Sequence, residues 1–185
     1  MSSPGREIFS SPQVSSFQVG PLQLDLREAV AWRKVSGRGH ILCYLSLFDD
    51  EIEDRLEDFL SSFHNVPLTG RDIALAACQM EPTDAAIVVT SGDEIFIARG
   101  GACNFPLYRE SRPGAGHVAT MLPLGQGLPL SVSGLLTSVA VVSAAFQNEP
   151  NLATATPLHG WSRLRRGTVT ALSPGKDLVS EYPID

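Results

Sequence analysis

From Glu7 to Leu47 apolar and polar residues alternate in short runs, the period-two pattern of strands. The runs break at Pro12, at Gly20-Pro21 and at Gly37-Arg38-Gly39, which predicts several short strands, with residues 40–47 the most buried. The period then changes. After the capping pair Asp49-Asp50, Ile52, Leu56, Phe59, Leu60 and Phe63 recur at helical spacing over residues 51–63, and acidic residues crowd the start, where the helix dipole favours them. Thr69-Gly70-Arg71-Asp72 opens a second, short helix predicted to reach Met80. Ser91-Gly92-Asp93, between apolar runs at 84–90 and 94–98, predicts a β-hairpin. Strands at 105–109 and 118–122 flank a turn at 112–116. Ser131 or Ser133 is placed to cap an apolar helix running to Phe146 and ended by Asn148-Glu149-Pro150, and a last strand at 168–172 is closed by Ser173-Pro174-Gly175-Lys176.

Elements in this order predict a layered α+β domain. The length of 185 residues suits one domain, read as residues 6–185 after a flexible leader at 1–5. A net charge of −6 argues against nucleic acid as a partner, because phosphate contacts need a basic surface. No apolar run has secretory or membrane-spanning length, so no signal peptide and no membrane association are expected. Cys43, Cys78 and Cys103 are odd in number and widely spaced, which fits reduced thiols in a cytoplasm rather than a disulfide framework. His40, His64, His117 and His159 show no ligand spacing, and no cysteine pair has the spacing of a zinc site, so neither metal nor cofactor is expected.

Two separated motifs carry a family resemblance. The first is Ala98-Arg99, then six residues, then Pro106-Leu107-Tyr108; the second is Thr156, then three residues, then Gly160-Trp161-Ser162-Arg163-Leu164-Arg165-Arg166-Gly167. In this order and at this distance they resemble the amino-terminal glutamine-amidotransferase-like domain of asparagine synthetases and their relatives. There the first stretch reads Ala/Gly-Arg-Asp-x-x-Gly-x-Arg/Lys-Pro-Leu-Tyr and the second Thr-x-x-x-Gly-x-x-Arg-Leu-Pro-Pro-Gly. Here Gly100, Cys103 and Phe105 replace family residues in the first motif, and Arg165-Arg166 replaces Pro-Pro in the second. The resemblance implies an Ntn-hydrolase-like αββα four-layer sandwich, two β-sheets between helical layers. It also implies that Arg99 makes a structural ion pair.

The catalytic residues of that family do not carry over. A working member exposes an amino-terminal cysteine whose α-amine is its own general base; here Ser2 follows Met1. The family's Asn-Gly-Glu-Ile, part of its oxyanion hole, lines up with Asp49-Asp50-Glu51-Ile52, and a carboxylate at Asp49 repels a developing oxyanion. The arginine that grips the substrate carboxylate has its nearest register at Leu22-Gln23-Leu24-Asp25 and is missing. Asp72 matches the aspartate that holds the substrate amino group, and is equally placed to cap a helix. Asp72 and Asp49 are therefore the ligand-binding candidates, and no catalytic residue is assigned.

Similar domains without the cysteine occur in β-lactam synthetases and lasso-peptide cyclases. By that resemblance the chain is expected to be a non-catalytic scaffold in an amide-forming system, beside an ATP-dependent synthetase domain in trans or cut away, with a homodimer as the other assembly left open. The sequence lacks a Ser-Gly-Gly-Leu-Asp-Ser pyrophosphate loop of its own. Arg163, Arg165 and Arg166, the densest basic cluster, are the partner-docking candidates. Two alternatives stand beside this reading: a serine-dependent Ntn amidohydrolase using Ser2, and a free-standing amino-acid-binding module using Asp72.

Overall fold

Turn-forming glycines divide the amino-terminal half into hairpins. The computed structural model describes residues 14–37, 39–47, 54, 58–59, 62, 69–80, 85–101, 103–112, 115–123, 130, 154–173 and 178–184. Strands β1 (Val14–Val19) and β2 (Leu22–Arg27) meet at Gly20-Pro21, and β3 (Ala31–Gly37) pairs with β4 (His40–Ser46). Gly20 has φ +58°, and a Cβ there would lie 2.8 Å from the Thr90 hydroxyl, so both the turn and its close approach require glycine. Helix α1 (Gly70–Met80) follows, then the hairpin of β5 (Ala85–Ser91) and β6 (Glu94–Arg99). The short strands β7 (Tyr108–Glu110), β8 (His117–Ala119) and β9 (Trp161–Arg163) precede a last hairpin, β10 (Thr168–Ser173) and β11 (Leu178–Pro183).

These strands form two sheets. One has six strands in the order β11-β10-β6-β5-β4-β3, all antiparallel; the other has five in the order β1-β2-β8-β7-β9, with β2 and β8 parallel. The sheets pack face to face. Leu22, Leu24 and Leu26 of β2 and Val118 of β8 share one buried cluster with Cys43, Leu45, Ala86, Val88, Ile95 and Ile97 of the six-stranded sheet. Along β2 the intervening Gln23 and Arg27 are exposed, the alternation of a strand with one buried face. Strand β5 is apolar on both faces: Ile87 and Val89 turn the other way, to pack with Ile73 and Ala74 of α1 and with Phe59. At one margin the Phe17 and Trp32 rings stack at 3.8 Å and Lys34 donates to the Gln18 carbonyl at 3.0 Å, tying β1 to β3 across the sheets.

The expected α+β, Ntn-type αββα four-layer sandwich is corrected by this architecture. The described residues are mostly strand, arranged in two sheets, with one bounded helix. The physical reason lies in what the two motifs encode. They are loop-and-strand motifs at the joint between the sheets, and they do not dictate what covers the outer faces. The second predicted helix is present within its expected bounds. Of the first, the described Asp54, Asp58, Phe59 and Ser62 are helical; the third, toward Phe146, lies outside the described residues. Strands β9 and β11 were not expected.

Candidate functional site

Both motifs meet at Arg99, the last residue of β6. Its side chain is 1% exposed. Nη1 donates to the Leu164 carbonyl at 2.6 Å, and Nη2 donates to the carbonyls of Phe105 at 2.5 Å and Cys103 at 3.3 Å. One guanidinium thus joins the loop that follows its own strand to Leu164, 65 residues from Arg99 in sequence. The expected ion pair is instead this set of carbonyl contacts: among the described residues no carboxylate lies against Arg99. Burial lowers the Arg99 pKa, Cys103 opposes the shift, and the nearby charges of Arg163 and Arg166 add to it.

The remaining motif positions build the same joint. The Leu164 amide donates to Leu107 O at 2.8 Å and the Gly167 amide to Arg99 O at 2.8 Å. Tyr108 pairs with Arg163 in the β7–β9 ladder. Leu107 and Leu164 are buried, and Pro106 is half-buried in the loop leading to β7. Thr156 is buried, its hydroxyl 2.9 Å from Trp161 O and 3.0 Å from Leu158 O, so it pins the loop that enters β9. Gly160 and Gly167 have φ +79° and +63°, the left-handed turns that let this loop enter and leave the strand.

Asp72 sits apart from this joint, at the start of α1. Its Oδ2 accepts from the Thr69 amide at 3.1 Å and the Thr69 hydroxyl at 2.7 Å, and the Asp72 amide donates back to Thr69 Oγ1 at 3.2 Å. This is a reciprocal capping box, and its hydrogen bonds from Thr69 lower the Asp72 pKa. One oxygen of the Asp72 carboxylate is thus engaged twice within the helix cap. Asp49 and Ser2 lie outside the described residues.

The basic cluster occupies the β9–β10 turn. Arg163 and Arg165 are half-buried and Arg166 is exposed; Arg165 Nε lies 3.5 Å from Glu181 Oε2. Arg109 of β7, half-buried, has its pKa lowered by burial, with the Glu181 charge opposing.

A second polar constellation went unread in the sequence. On the outer face of the five-stranded sheet His117 Nε2 lies 2.7 Å from Asp25 Oδ2, and Nδ1 lies 3.6 Å from Glu110 Oε2. Glu110 in turn pairs with Arg112, and the His117 ring meets Trp161 edge-on at 4.9 Å. Burial raises the Asp25 pKa, but hydrogen bonds from Ser16, His117 and Gln23 and the His117 charge outweigh it, and the net direction is down. The contact joins residues 92 apart in sequence, so no local spacing could announce it. Among the described residues no group of histidine, cysteine and carboxylate side chains is arranged to hold a metal ion.

No protein-family model and no curated protein sequence matches the chain. No helix among the described residues is long and apolar enough to cross a membrane.

Proposed function

We propose that the chain is a non-catalytic scaffold domain of an asparagine-synthetase-like, amide-forming system, working in the cytoplasm beside an ATP-dependent synthetase domain. The observation that carries this reading is what the retained motif residues do. Arg99, Leu107, Tyr108, Thr156, Gly160, Leu164 and Gly167 all hold one joint between two sheets, and Asp72 holds a helix end. Motif residues that serve architecture are what a scaffold requires. The reading rests on these motifs and not on the arrangement of layers. Free, buried Cys43 and Cys103 suit a reducing compartment. Burial pushes the Cys43 thiol up to about 12, which makes it a poor nucleophile.

The test is capture of partners by the tagged chain from its native cell extract. The expected result is a stoichiometric partner that carries a Ser-Gly-Gly-Leu-Asp-Ser pyrophosphate loop. A chain recovered without such a partner overturns the proposal.

A further inference from the structure

We propose that the β9–β10 turn, through Arg163 and Arg166, is a docking surface for an acidic segment of a partner protein, rich in Asp and Glu. This rests on the scaffold role proposed above and names the face and chemistry by which it would act.

Three observations carry it. First, Arg163 and Arg166 form no ion pair within 4.0 Å among the described residues, although acidic residues outnumber basic ones by 20 to 14 along the chain. Arg165 alone of the turn shows an ion pair there, at 3.5 Å to Glu181. Second, Arg163 and Arg166 lie close enough to the buried Arg99 for their charges to add to the lowering of its pKa that burial causes, and an anion at the turn would offset that repulsion. Third, the turn is rigid. Arg99 grips Leu164 O, the Gly167 amide returns to Arg99 O at 2.8 Å, and the Thr168 hydroxyl donates to Arg165 O at 3.1 Å. Guanidiniums carried on a fixed backbone lose less freedom on binding and can grip carboxylates with two parallel hydrogen bonds.

The net charge of −6 decides between anionic partners. A long polyanion such as nucleic acid meets the negative remainder of the molecule, whereas a short acidic segment stays within the reach of the turn, about one screening length at physiological salt.

The test is fluorescence anisotropy of the full chain with a labelled peptide of alternating Glu, Asp, Ser and Gly, against a single-stranded DNA oligonucleotide of equal charge. The expected result is peptide binding that weakens with added salt and falls at least tenfold in the Arg163→Glu/Arg166→Glu variant, with the oligonucleotide weaker than the peptide. Arg166→Glu alone, at an exposed position, is expected to weaken binding by a smaller factor with an unchanged melting temperature, which keeps the test independent of misfolding. No peptide binding, binding unchanged in both variants, or an oligonucleotide bound as tightly as the peptide overturns the proposal. Repeating the partner capture with Arg166→Glu separates the two readings. A synthetase-type partner retained equally by wild type and variant removes this surface and leaves the scaffold role. Peptide binding with no such partner removes the scaffold role and leaves the surface.

Discussion

The two sheets are built by different means. In the six-stranded sheet five antiparallel ladders of five to seven residue pairs follow one another, and four of them join consecutive strands. In the five-stranded sheet only the β1–β2 hairpin has a ladder of that length, with six pairs; β8 joins β2 by three and β7 by two, and β7 joins β9 by three. Where backbone pairing is short, side chains complete the joints. Arg99 holds the loops around β7 and β9, and Thr120 accepts the Arg27 amide at 2.7 Å beside the parallel joint. At that joint a Cβ on Gly116 would lie 2.6 Å from Pro21 O, so the backbones approach as closely as glycine allows. The lesson is that motif residues concentrate where a sheet cannot be held by its own ladders.

Breaking the joints should therefore cost more than their number suggests. Arg99→Met removes three hydrogen bonds to backbone carbonyls in a buried joint, and at about one kcal/mol for each we expect a loss of about 3 kcal/mol in urea denaturation. A loss below 1 kcal/mol would mean the joint holds without its arginine. Thr120→Val keeps the shape but orphans the Arg27 amide, at a cost of about 2 kcal/mol. Its sharper readout is amide hydrogen exchange: β2 and β8 should lose protection while Val88 in β5 keeps it. Equal loss in both sheets would erase the distinction between them.

Asp72→Ala removes the capping box and is expected to lower stability by about 1 kcal/mol, with faster exchange confined to the first turn of α1. The smallest effect is a pH dependence. Because the folded-state pKa of Asp25 is depressed, its contribution is fully present above the ordinary carboxylate value near 4 and disappears as pH falls through the lower folded value. The carboxylate is only partly buried, so solvent screening holds the expected size to a few tenths of a kcal/mol. Asp25→Asn should flatten that part of the acid-side stability curve; an unchanged curve would show that the His117 contact contributes nothing.

The same contrast explains what the sequence revealed. The hairpins of the six-stranded sheet announce themselves through local turn chemistry, Gly37-Arg38-Gly39 and Ser91-Gly92-Asp93, and α1 through Thr69 and Asp72. Strand β9 has three residues, too few for any period, and Pro183 at the end of β11 argues against a strand by propensity alone. The parallel β2–β8 pairing and the Asp25–His117 contact span more than 90 residues and leave no local trace. Arg99 was legible as a motif residue, but its partners are backbone carbonyls, which every residue carries and no sequence pattern marks. The layered arrangement implied by the resemblance fails for a related reason, since two motifs specify their own joint and leave the distant faces open.

The most direct test of the central claim, that the two motifs serve a frame and not a reaction, is ammonia release from glutamine by the purified chain. The account predicts no release above the protein-free blank across neutral pH. Sustained release by the wild-type chain, abolished in Ser2→Ala with an unchanged melting temperature, would contradict it.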